Sequence, residues 1–93
     1  MAKKPPSLAE QVELFALWVA GSFPTVQAST EYHFEKHGGG LTYWQYLSRA
    51  AAFEKARAVR YEQSAGVVKW KQQNGEFLIE KQGRIISYGP RED

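Results

Sequence analysis

The sequence predicts an α+β domain, with N-terminal helices packed on a C-terminal three-stranded antiparallel sheet. Apolar residues recur at helical spacing through the first two thirds of the chain. From Gly66 the period shifts to two, with Asn74-Gly75 and Gln82-Gly83 as tight turns between short apolar runs. Helices first and strands after is the order of a layered fold in which helices cover one face of a meander. The 93 residues suffice for one domain with one modest core. The expected division is a disordered tail over 1–6, a helical part over 7–61 and a sheet over 66–90.

Pro5-Pro6 blocks regular structure at the start. Ser7-Leu8-Ala9-Glu10 is a capping box. Leu8, Val12, Phe15 and Val19 follow at helical spacing, with Leu14, Leu17 and Trp18 widening the stripe. Gly21 and Pro24 end this helix near residue 20. A connector spans Phe23 to Ser29. Thr30 is the expected N-cap of a short helix over Glu31–His37, with Gly38 as its left-handed C-cap. Thr42 and Gln45 form a second capping box for a helix over Tyr43–Tyr61. Its buried side is marked by Tyr43, Leu47, Ala50, Ala51 and Ala58, with Arg49, Arg57 and Arg60 turned away. Tyr43-Trp44-Gln45-Tyr46 suits either a stacking platform or the core, and core is favoured for Tyr43 or Trp44. Val67–Lys71, Glu76–Lys81 and Arg84–Tyr88 are the strands, and Gly89-Pro90 ends the last.

The chain is 43% hydrophobic, enough to fold. It has no cysteine, which excludes disulfides and thiol catalysis and favours a reducing compartment. No apolar run approaches the ~20 residues of a membrane span. The net charge is +2, and its distribution is uneven. Between Arg49 and Arg84 stand eight basic and four acidic residues. That excess suits RNA, DNA or an acidic protein partner, or reflects ordinary surface scatter.

Tyr32-His33-Phe34-Glu35-Lys36-His37-Gly38-Gly39-Gly40 holds both histidines. Four residues apart on a helix, they share a face one turn apart. Imidazoles move protons near neutral pH. RNA is cut without metal when a base removes a ribose 2′-hydroxyl proton and an acid protonates the leaving oxygen, while cations and amide donors stabilise the phosphate. His33, His37 and Lys36 supply those groups. The alternative is that one histidine packs on the sheet and the other is simply exposed. The i, i+4 spacing also fits zinc, but no third histidine and no cysteine complete a site, and the HExxH order is absent. Neither G-x-S-x-G nor a P-loop is present. No cofactor is expected. Lys69 and Lys71 alternate with Val68 and Trp70 and so share the opposite strand face, suited to phosphate contacts or to a plain polar surface. Arg84, Ser87 and Tyr88 are further candidate phosphate donors.

The ordered set is distinctive: His33-Phe34-Glu35-Lys36-His37-Gly38, then Tyr46-Leu47-Ser48-Arg49-Ala50-Ala51-Ala52-Phe53, then Gly66–Lys71 and Gly83–Pro90. It resembles the C-terminal nuclease domains of bacterial polymorphic toxins of the barnase–EndoU–colicin–RelE superfamily, nearest to the tRNA-cleaving colicin D and CdiA contact-dependent inhibition toxins. The resemblance covers about residues 31–90. It implies a metal-independent tRNase acting in the bacterial cytoplasm. His33, Lys36 and His37 would be its acid–base and phosphate-binding groups, with Lys69, Lys71, Ser87 and Tyr88 lining the site from the sheet. It also implies an acidic immunity or antitoxin protein that covers the basic cleft. The competing class is a non-catalytic basic module that binds nucleic acid or an acidic protein.

Overall fold

The computed structural model describes residues 5–91. Within it, α1 (Leu8–Ala16), α2 (Val26–His37) and α3 (Tyr43–Ala51) precede a 3₁₀ turn (Lys55–Arg57) and four strands. These are β1 (Val59–Ser64), β2 (Val67–Lys71), β3 (Phe77–Lys81) and β4 (Arg84–Gly89). They form one antiparallel sheet in the order β1-β2-β3-β4. The α+β class and the meander therefore hold, with four strands in place of three. The expected tail falls partly on residues 1–4, outside the described residues, while Pro5 and Pro6 carry no regular structure.

Both capping boxes form. Ser7 accepts from the Glu10 amide and Thr42 from the Gln45 amide, and each third-position side chain accepts from its cap's amide in return. The helix ends differ from expectation. α1 stops at Ala16, because Leu17–Val19 adds to the outer edge of β4. The Ile85 amide donates to the Leu17 carbonyl at 2.8 Å, and the Val19 amide to the Ile85 carbonyl at 3.0 Å. This short parallel bridge occupies the sheet edge that would otherwise lie open. Leu8 and Val12 stay exposed, and Leu14 and Phe15 reach the core.

α2 begins a turn and a half earlier than predicted. Thr25 is its N-cap, accepting from the Ala28 amide at 3.0 Å. Thr30 instead lies buried in mid-helix, donating to the Gln27 carbonyl and sharing a 2.6 Å hydrogen bond with the Tyr43 hydroxyl. Gly38 is right-handed (φ −64°), and the positive φ values fall on Gly39 and Gly40. Gly38 is needed for space: a Cβ there would lie 2.4 Å from the Phe34 carbonyl oxygen.

α3 ends at Ala51, which is exposed, and the predicted helix over 52–61 is not formed. After the 3₁₀ turn the chain becomes β1. Val59 and Tyr61 carry the strand's two-residue period, but all its residues are exposed, so no core-facing pattern marked it. Trp18, Tyr46, Leu47, Ala50, Leu78, Ile85 and Tyr88 form the core between α3 and one face of the sheet. Trp44 packs edge-on against Phe15 and Tyr43, which settles that cluster as core rather than platform.

Register divides the strand residues between two faces. The core face carries Val68, Trp70, Leu78, Glu80, Ile85 and Tyr88, and β1 adds Arg60 and Glu62. The second face carries Val59 and Tyr61, then Lys69 and Lys71, then Phe77, Ile79 and Lys81. A bulge at Ile86 brings Arg84 and Ser87 onto that same face, where unbroken alternation would have separated them. Both strand carboxylates, Glu62 and Glu80, fall on the core face. Glu80 is buried there, accepting from Trp70 Nε1 at 2.9 Å and pairing with Lys55 Nζ at 2.5 Å. Among the described strand residues, the second face has lysine and arginine and no carboxylate.

Candidate functional site

The candidate site lies where the C-terminal turn of α2 meets the basic face of the sheet. Phe77 is its joint. The His37 ring stands perpendicular to Phe77 at 5.4 Å, and Lys69 Nζ lies 5.1 Å from the Phe77 centroid. Lys71 is the direct register partner of Phe77 on β2. Gly89 faces Phe77 from β4, and a Cβ there would come within 2.3 Å of the ring. Glycine at 89 thus lets the phenyl lie across β4 toward α2. Sequence reasoning did not single out Phe77 or Gly89. Their pairing depends on long-range register, although the period of β3 alone sets Phe77 on the face of Ile79.

His33 and His37 stack at 6.4 Å with an interplanar angle of 10°, as the i, i+4 spacing predicts. His33 is held on several sides. Trp18, Phe23 and Tyr32 surround its ring at 6.2, 5.8 and 5.1 Å. Its Nδ1 lies 2.8 Å from the Ser29 carbonyl oxygen. A carbonyl only accepts, so Nδ1 carries the hydrogen, and the neutral ring keeps its lone pair on Nε2. Burial among apolar rings lowers the His33 pKa. The Ser29 carbonyl opposes that shift, and the charge of Lys36 adds to it.

That shift has a consequence for stability. Because protonation of His33 is harder in the folded state, the unfolded chain binds more protons below the ordinary imidazole pKa near 6.5. Stability is complete above that pH and falls as the pH drops through it. Melting curves between pH 7.5 and 5 should show a falling midpoint, with a shallower slope in His33→Gln. Equal slopes in the two proteins would contradict the assignment.

The other predicted residues divide. Lys36 is exposed on the flank of α2, its Nζ 6.0 Å from the Tyr32 ring rather than beside Phe77. Ser87 is buried on the basic face, opposite Ile79. Arg84 is exposed on that face, roughly 10 Å along β4 from Ser87 at about 3.3 Å per residue. Tyr88 does not belong to the site. It is fully buried on the core face, where its hydroxyl donates to Glu76 Oε2 at 2.5 Å. Its backbone carbonyl accepts from the Tyr46 hydroxyl. Burial raises the pKa of both phenols. A hollow between α1 and α3, lined by residues including Glu10, Glu13, Leu14 and Ser48, holds none of the predicted site residues.

Among the described residues no three His, Asp or Glu side chains are grouped to hold a metal ion, and no helix is long and apolar enough to cross a membrane. The arrangement is a stacked imidazole pair beside a lysine-bearing sheet face. Comparison with protein-family models, with curated proteins and with solved structures finds no match to this chain.

Proposed function

We propose that this protein is a metal-independent ribonuclease of the bacterial toxin type, cutting RNA, with tRNA as its substrate. The observation that carries this reading is that His37 and Lys69 both contact one phenyl ring, Phe77. That contact brings a proton-transfer group from α2 to a phosphate-binding group from β2. In the proposed reaction a base takes the ribose 2′-hydroxyl proton, and the oxygen attacks the adjacent phosphorus. An acid returns a proton to the departing 5′-oxygen, leaving a 2′,3′-cyclic phosphate. His37 is the imidazole that meets the substrate. His33, neutral and stacked on it, is its partner. Lys69 and Lys71 balance the charge that builds on phosphate. Lys36 and Arg84 lie further out, where they suit the flanking backbone.

A polyanion is the ligand class this face complements, since its strands bear cations and no carboxylate. The same complementarity suits an acidic inhibitor protein, and it suits RNA binding without cleavage. The enclosure of His33 by aromatic rings is the observation that favours the binding-only reading. Incubation of total tRNA with the purified protein in EDTA separates the two. Discrete fragments are expected. Intact tRNA with a folded, inhibitor-free preparation would overturn the catalytic reading.

A further inference from the structure

We infer that Tyr61 forms a base-stacking subsite on β1, so that the protein binds RNA through an unpaired base next to the phosphate held at Lys69 and Lys71. The inference rests on the RNA reading above and extends it to a strand that plays no part in the proposed reaction. β1 is the outer strand of the sheet, and it exposes Tyr61 at 49% and Val59 at 57%. An edge strand that shows an aromatic and a β-branched residue to solvent is a liability unless something covers them. Among the described residues, no hydrogen bond, ion pair or ring contact holds the Tyr61 side chain.

Its register partner is Lys69, on the same face. With strands about 4.8 Å apart, Tyr61 lies roughly 10 Å across the sheet from Phe77, with the lysines between them. An exposed ring beside a cationic track is the arrangement by which single-stranded nucleic acid is held: phosphates lie along the charges and a base stacks on the ring. Bases within a duplex are already stacked and paired and offer no free face. The subsite therefore selects loops and single strands over helices. Charge decides against a basic protein as the occupant, because the charged residues on the strands of this face are all cations.

The test uses a 2′-O-methyl RNA oligonucleotide, which the proposed reaction cannot cut, as a single strand and as a duplex at one salt concentration. Tyr61→Ala should weaken single-strand binding roughly 5- to 100-fold, the loss of one stacked base. Tyr61→Phe should bind as wild type, and duplex affinity should be equal in all three proteins. The subsite is overturned by unchanged single-strand binding in Tyr61→Ala, by an equal loss in Tyr61→Phe, by an equal loss on duplex, or by no binding in wild type. Melting curves verify that each variant is folded. Cleavage of unmodified tRNA is scored separately. Tyr61-dependent binding without cleavage removes the reaction and keeps the subsite, whereas cleavage with Tyr61-independent binding does the reverse.

Discussion

Replacing His37 with alanine is expected to slow RNA cleavage by about a hundred- to ten-thousand-fold, the range lost with a general acid or base. The ring is half-buried and meets the rings of His33 and Phe77. Neither ring contact belongs to the core cluster or to the Ser29–His33 hydrogen bond, and the circular dichroism spectrum should not change. His37→Gln keeps much of the volume and should be equally slow, because an amide does not titrate. Initial rates in EDTA are the measurement. His33→Ala should behave differently, losing stability as well as rate, since three aromatic rings and a carbonyl close on that imidazole. A His37→Ala protein as fast as wild type would remove His37 from the site.

Trp18→Ala is expected to have the largest effect on stability, about 3–5 kcal/mol for emptying a buried indole site. A domain at the lower end of ordinary stability, about 5 kcal/mol, would melt near ambient temperature after such a loss. Trp18 is 1% exposed. It packs on Tyr46 and His33 and sits in the segment that bridges to Ile85. One residue thus supports the core, the covered edge of β4 and the position of the half-buried His33. Trp18→Phe retains much of the apolar volume and should recover more than half of the loss. Urea denaturation gives both values. A loss below about 1 kcal/mol for alanine would contradict the packing described, since indole deletion from a closed core costs several times that.

Features set by neighbouring residues were readable from the sequence. The capping boxes at Ser7 and Thr42 need only a hydroxyl and a carboxyl or amide three residues on. The turns at Asn74-Gly75 and Gln82-Gly83 are equally local, and Gln82 and Gly83 both take positive φ. The pairing of His33 with His37 follows from helical spacing, and the shared face of Lys69 and Lys71 from alternation. Thr25 and Thr30 are both competent caps, so the local signal at Thr30 places the start of α2 too late. What decides between them is tertiary: Thr30 is buried against Tyr43. Ala50–Arg60 is rich in alanine, lysine and arginine, all good helix formers, so local propensity extends α3 over the start of β1. An edge strand exposed on both faces offers no competing burial pattern.

Within the site, the joint at Phe77 and the bulge that puts Arg84 on the same face as Ser87 depend on which strand pairs with which, and no short window encodes that. The assignment of Tyr88 has a simpler cause. Ser87 and Tyr88 are adjacent on one strand and so point to opposite faces. Alternation alone separates them, and burial then assigns Tyr88 to the core.

In the proposed reaction, stacked imidazoles beside a lysine-bearing sheet cut RNA through the ribose 2′-hydroxyl without metal. The most direct measurement takes a tRNA-derived oligonucleotide that the protein cleaves at one position and a second copy with a 2′-deoxyribose at that position, both in EDTA. A 2′,3′-cyclic phosphate end is expected from the first and no cleavage of the second. Equal cleavage of both, or no cleavage of any RNA by the folded wild-type protein, would contradict it.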